Sequence, residues 1–199
     1  MKTVAARTLI AATLCLAIAT PAWSNAYREK GKAVKVADSN LTVTPTRDWN
    51  RLDIKPGKNA ETWTLDGEQL NDVTFYGGIA PGEPLVRERS KRREPLPKFT
   101  STTLLVEVPE LLGGTYRAFK GISKFTVTNS KPDRFLDQPG VRFTYDYTDE
   151  DDLPRKGEAI AALVRGQLYM VTFDAPRLHY HDRTIGDFRA LVQTAALTQ

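Results

Sequence analysis

In Val141-Arg142-Phe143-Thr144-Tyr145-Asp146-Tyr147-Thr148, large apolar residues alternate with polar ones without a break. A β-strand sends successive side chains to opposite faces, so this period places Val141, Phe143, Tyr145 and Tyr147 together on a core-facing side. Phe125 and Val127 repeat the pattern one strand earlier. Downstream, Ala159 to Val164 and Leu168 to Phe173 are continuous apolar runs joined by Arg165-Gly166-Gln167, where a glycine can supply the positive φ of a tight hairpin. These four segments predict an antiparallel meander.

Ile185, Phe188, Leu191, Val192 and Ala195 share one face of a closing helix, with Thr184 and Asp187 spaced like a capping box at its start. Upstream of the meander, Leu111, Leu112, Thr115, Tyr116 and Phe119 recur at helical spacing behind Pro109. They predict a helix from about Ser101 to Ala118, interrupted near Pro109 and strained at Gly113-Gly114. Further upstream, Leu41 to Thr44, Trp49 to Ile54, Glu61 to Leu65 and Val73 to Tyr76 are short β-favouring runs separated by turn residues. Gly77 to Lys98 is dense in glycine and proline and reads as loop, and Tyr27 to Lys35 reads as a loose arm. The pattern is that of one α+β domain, an antiparallel sheet packed with helices.

The chain has 199 residues, a formal charge of +4 and one cysteine. Lys2 and Arg7, the apolar run from Leu9 to Ala19, Pro21 and the small residues to Ala26 follow the layout of an export signal. That run is about 11 residues, against the roughly 20 a spanning helix needs, so no transmembrane segment is expected in the mature chain. Cleavage after Ser24 or after Ala26 fits, with residues 1–26 taken as the signal and 27–199 as the domain. Cys15 lies inside the apolar run, which leaves the mature domain without a disulfide or a thiolate site. Loss of Lys2 and Arg7 lowers the charge to +2, too little to argue for nucleic acid.

Trp63-Thr64-Leu65-Asp66-Gly67 followed by Leu70, Val73 and Phe75, and Gly166 to Pro176 followed by the final helix, resemble the Mog1/PsbP-like α/β/α sandwich and secreted bacterial proteins of that fold. The resemblance implies a fold and an exported location. It carries over no catalytic residue, because the family's members act mostly as binding or assembly factors.

His179-Tyr180-His181-Asp182 is the cluster best able to carry site chemistry. Extended, it would turn both imidazoles to one side for a divalent metal, but Arg177 and Arg183 flank it and oppose a cation. The alternative is a polar loop with Tyr180 in the core. Arg87, Arg89, Lys91, Arg92 and Arg93 could meet an anionic envelope surface, and a solvated loop is the alternative. Asp146, Asp149, Glu150, Asp151 and Asp152 lack the alternation and central glycine of a calcium loop and read as a solvated turn. Neither a Gly-x-Ser-x-Gly elbow, nor a phosphate loop, nor a dinucleotide fingerprint occurs. The expectation is an exported, periplasmic or secreted binding or envelope-assembly factor without a cofactor, its partner an envelope protein or anionic surface. Two alternatives stay open: a secreted hydrolase or metal enzyme centred on His179 and His181, and a carrier of small apolar ligands.

Overall fold

A computed structural model describes residues 26–88 and 95–198. Its main element is an eight-stranded antiparallel sheet. β1 (Ala26–Arg28), β4 (Trp49–Arg51), β5 (Ala60–Thr64) and β6 (Asp72–Ile79) form one half. The other half is the meander β7 (Phe125–Phe135), β8 (Gln138–Thr148), β9 (Pro154–Val164) and β10 (Gln167–Pro176). β6 pairs with β10, so the spatial order is β1-β4-β5-β6-β10-β9-β8-β7. A second, three-stranded sheet joins β2 (Val34–Lys35), β3 (Leu41–Val43) and β11 (Ala196–Leu197).

Each face of the large sheet is covered. On one face α1 (Val108–Lys120) sets Leu112 and Tyr116 against Phe143, Tyr145, Ala159, Ala161 and Met170. On the other, α2 (Tyr180–Gln193) and the small sheet set Phe188, Leu191 and Leu41 against Ile160, Ala162, Val171 and Phe173. Strands buried on both faces lose the polar alternation, which is why the runs in β9 and β10 are continuously apolar. β8 lies nearer the edge and keeps it: Val141, Phe143, Tyr145 and Tyr147 are buried, while Arg142, Thr144, Asp146 and Thr148 are half-buried. The turn between β9 and β10 places both Arg165 and Gly166 at positive φ, 51° and 77°, as a two-residue hairpin requires.

Several boundaries differ from the sequence expectation. Residues 27–35 are not a loose arm, since β1 and β2 both pair; the buried Glu61 carboxylate accepts from Arg28, from Trp63 Nε1 and from the Ala37 N–H, which ties this segment down. α1 begins at Val108 rather than Ser101, after a short 3₁₀ turn over Leu105–Glu107, and Pro109 falls in its first turn, where a missing N–H is harmless. Gly113 is kept by packing, because a Cβ there would lie 2.8 Å from the Phe125 ring. β6 continues to Ile79, through the glycines taken as loop. α2 starts five residues early, at Tyr180 with His179 as N-cap, so Thr184 sits inside the helix and bonds back to the Tyr180 carbonyl rather than capping it.

Candidate functional site: a cleft at the end of the sheet

One row of cross-strand neighbours organises the site. Tyr145 of β8 lies opposite Gly157 of β9, Gly157 opposite Asp174 of β10, and Asp174 opposite Asp72 of β6, all on the α1 face. Glycine in the row is a steric requirement: a Cβ at position 157 would stand 2.3 Å from the Tyr145 ring. Across that gap the Tyr145 hydroxyl donates to Asp174 Oδ1 at 3.0 Å. Tyr116 of α1 donates to Asp174 Oδ2, and Lys120, in the last turn of the same helix, brings Nζ to 3.5 Å from that oxygen. The Lys120 ammonium also sits 4.2 Å above the centre of the Tyr116 ring and 3.4 Å from the Tyr147 hydroxyl.

Arg155, at the start of β9, fastens the surrounding loops. Its guanidinium donates to the Tyr147 hydroxyl at 3.0 Å and to the Gln69 carbonyl at 2.7 Å, and lies 3.5 Å from Asp149. The β5–β6 turn, the β8–β9 turn and the end of α1 are thereby held around an open cleft of about 800 Å³. Its wall carries five carboxylates, Glu68, Asp72, Asp149, Glu150 and Asp151, against the three cations Arg117, Lys120 and Arg155. A smaller cavity of about 140 Å³ opens beside it, where Leu52, Ile54 and Val86 meet Thr62, Thr74, Thr115 and the Tyr76 and Tyr116 side chains; it shares Glu68, Asp72, Phe119 and Lys120 with the cleft.

Burial and the Asp174 carboxylate set the protonation of Lys120 and of the buried tyrosines. Burial alone would lower the Lys120 pKa, but Asp174 beside it, with Tyr147, Asp72 and Tyr76, carries it above the ordinary lysine value. Burial pushes the Tyr147 phenol up to about 12 and raises Tyr116 and Tyr145 well above the usual value, with Asp174 adding to each shift. At neutral pH the site therefore holds an ammonium and neutral phenols. It offers neither a neutral lysine nor a phenolate as nucleophile or base. Asp72 differs. Its Oδ1 is shut away from solvent with no hydrogen-bond partner, and burial lifts its pKa to about 6 even though Lys120 draws it down.

The residues singled out in the sequence lie elsewhere. His179 is exposed ahead of α2, at φ 70°, whereas His181 is buried in the helix's first turn, with Nδ1 2.8 Å from Asp182 and its ring against Phe173. The extended stretch that would set both imidazoles to one side is replaced by a helix start that separates them. Among the described residues no three His, Cys, Asp or Glu side chains are grouped to hold a metal ion. Arg87 is exposed; Arg89, Lys91, Arg92 and Arg93 lie outside the described residues. Asp149 to Asp152 do form a turn, and it is a wall of the cleft. Asp72, Lys120, Arg155 and Asp174 drew no attention in the sequence. A lone aspartate closing an apolar run and a lysine closing a helix have ordinary roles at those positions, and only the strand register brings them together.

No protein-family model and no curated protein matches this chain. Solved structures do. Cyanobacterial PsbP (CyanoP) from Synechocystis sp. PCC 6803 superposes with a TM-score of 0.57 at 11% identity, covering 84% of this chain and 92% of that one. The fold is PsbP-like. Weaker likenesses are to PA94, a protein of unknown function and putative regulator from Pseudomonas aeruginosa (TM-score 0.45, 11% identity, 81% of this chain and 99% of that one), and to LpqN, involved in cell envelope biogenesis of Mycobacterium tuberculosis (0.35, 7%, 92% and 88%). At 11% identity the likeness concerns the fold alone.

Proposed function

We propose that the protein is an exported, non-enzymatic binding factor of the cell envelope and that the cleft at the end of its sheet is the recognition site. The observation that carries this reading is the cross-strand row Asp72–Asp174–Gly157–Tyr145 with Lys120 and Arg155 at a concave opening: Asp174 is held by Tyr116, Tyr145 and Lys120, Arg155 is held by Tyr147 and Gln69, Asp72 stands unbonded beside them, and the row pairs no nucleophile with a base. Export is inferred from residues 1–26. No helix among the described residues is long and apolar enough to cross a membrane.

The carrier alternative draws little support, because the large cavity is open and charged and the apolar one beside it measures only about 140 Å³. Ala118 lines the cleft, so Ala118→Trp obstructs it. Mature wild-type protein and this variant, both shown to be folded, are immobilised and exposed to envelope extract. The expected result is a set of bound species retained by wild type and lost by the variant; identical retention by both would remove the cleft from the account.

A further inference from the structure

Asp72 and Asp174 are direct cross-strand neighbours, yet the fold treats them oppositely. Asp174 is bonded by Tyr116, Tyr145 and Lys120 and is thereby fully engaged. Asp72 lines both the charged cleft and the small cavity beside it, and its Oδ1 is enclosed without a hydrogen-bond partner. A buried acceptor left unpaired disfavours folding, which makes Asp72 the carboxylate of this row that a donor entering the cleft would relieve. The surroundings select the kind of donor. Carboxylates outnumber cations five to three on the cleft wall, while the chain as a whole is mildly basic, so the local field attracts positive charge. The carboxylates are not grouped for a metal ion among the described residues, which favours an organic cation. The adjoining 140 Å³ has room for about four or five groups of the ~30 Å³ a water occupies, the size of a leucine or isoleucine side chain.

Resting on the reading of the cleft as a recognition site, we propose that it binds a primary ammonium bearing an apolar arm. The ammonium is seated on the Asp72 carboxylate and the arm lies in the cavity formed by Leu52, Ile54, Val86 and Phe119. Such a group occurs on a free amine or at the amino terminus of a peptide whose first residue is apolar. In the second case the remaining chain runs through the cleft beside Glu68 and the Asp149–Asp151 turn. Lys120 of α1, Arg155 of β9, Asp174 of β10 and Glu68 of the β5–β6 turn are the charged groups facing Asp72. Burial lifts Asp72 to about 6, with Asp174 and Glu68 adding to the shift and Lys120 and Arg155 opposing it, so binding that needs its carboxylate weakens about tenfold from pH 7 to pH 5.

The test is calorimetric titration of the mature full-length domain with leucinamide, N-acetyl-leucinamide and the tripeptide amide Leu-Gly-Gly-NH₂. Leucinamide binds saturably, and acetylation, which removes the charge, abolishes binding. Asp72→Asn, which keeps the shape, weakens leucinamide at least tenfold and removes the pH dependence. A tripeptide at least tenfold tighter than leucinamide assigns the source to peptide amino termini, and equal affinity assigns it to free amines. Binding of the acetylated compound as tightly as leucinamide, or full affinity in Asp72→Asn, overturns the proposal. If leucinamide fails to bind wild type while Ala118→Trp still abolishes capture from envelope extract, the ligand class is wrong and the recognition site stands.

Discussion

Two carboxylates on opposite faces of the large sheet, the buried Glu158 and the half-buried Asp72, are handled in opposite ways. On the α2 face Glu158 is 2% exposed and accepts from Arg142 of β8 at 2.6 Å and from Arg189 of α2 at 2.6 Å, while Asp133 of β7 holds Arg142 from the far side. Burial would raise its pKa, but the bonds from Arg189 and Arg142 outweigh that and hold it below the ordinary glutamate value. On the α1 face Asp72 meets burial without a bonded cation and moves the other way, to about 6. A carboxylate whose oxygens are filled by its own fold is a structural clamp, here joining α2 to β8 and β9. A carboxylate that lines a cleft and is not filled by its own fold is available to a ligand. The difference separates groups that hold the molecule together from groups that let it bind.

The largest expected effect tests whether the α1 face is as tightly built as the α2 face. Tyr145→Asp places a new carboxylate on the buried row facing Asp174, and it should cost at least about 4 kcal/mol, a large part of a domain's total stability. Urea denaturation measures it, and a loss below about 1 kcal/mol would mean that the row is not packed as described. Gly157→Ala should follow, at about 1–3 kcal/mol, because the added methyl enters the space of the Tyr145 ring. Near-ultraviolet circular dichroism reports the tyrosine displacement independently.

Glu158→Gln should cost about 1–3 kcal/mol at pH 7, the range for charge-assisted bonds on a buried acceptor, reduced from the fully buried case because Arg189 is 57% exposed. Its pH profile carries a sign. With a folded pKa below the unfolded one, the wild-type advantage is complete above about pH 4.5 and is lost as the pH falls through the depressed folded value, so the two proteins converge in acid. Asp146→Lys is the smallest perturbation. Asp146 is half-buried and stands opposite Lys156 in the β8–β9 ladder, so replacement juxtaposes two lysines; a loss of about 0.5–1 kcal/mol is expected, well short of that from Tyr145→Asp.

How much of this was legible in the sequence follows from which forces act locally. Alternation from Val141 to Tyr147 and the Arg165-Gly166 turn are local signals, and they located the meander and the buried set. Helix starts were harder: Tyr180 to Arg183 carries charges that look like loop, yet Phe173 and the α2-face core draw His181 inward and extend the helix over them. β1 and β2 are only three and two residues long, too short for any period to be visible, and they exist because Glu61, on a distant strand, holds them. The cleft was invisible for a related reason. Asp72, Lys120, Arg155 and Asp174 are separated by tens of residues and meet only through the register of β6, β10 and β9 and the docking of α1.

The account rests on Asp72 being a group that the fold does not need, and its stability profile tests that most directly. A carboxylate whose folded pKa is raised favours folding when protonated, so its contribution is present below about pH 4 and is lost as the pH rises through about 6. Comparison of wild type with Asp72→Asn by urea denaturation from pH 4 to pH 7.5 should therefore show near-equal stability at pH 4 and a variant that is more stable at neutral pH, by on the order of 2 kcal/mol. A variant less stable than wild type by more than about 1 kcal/mol at pH 7 would show that Asp72 is bonded within the fold like Glu158, and would contradict the account.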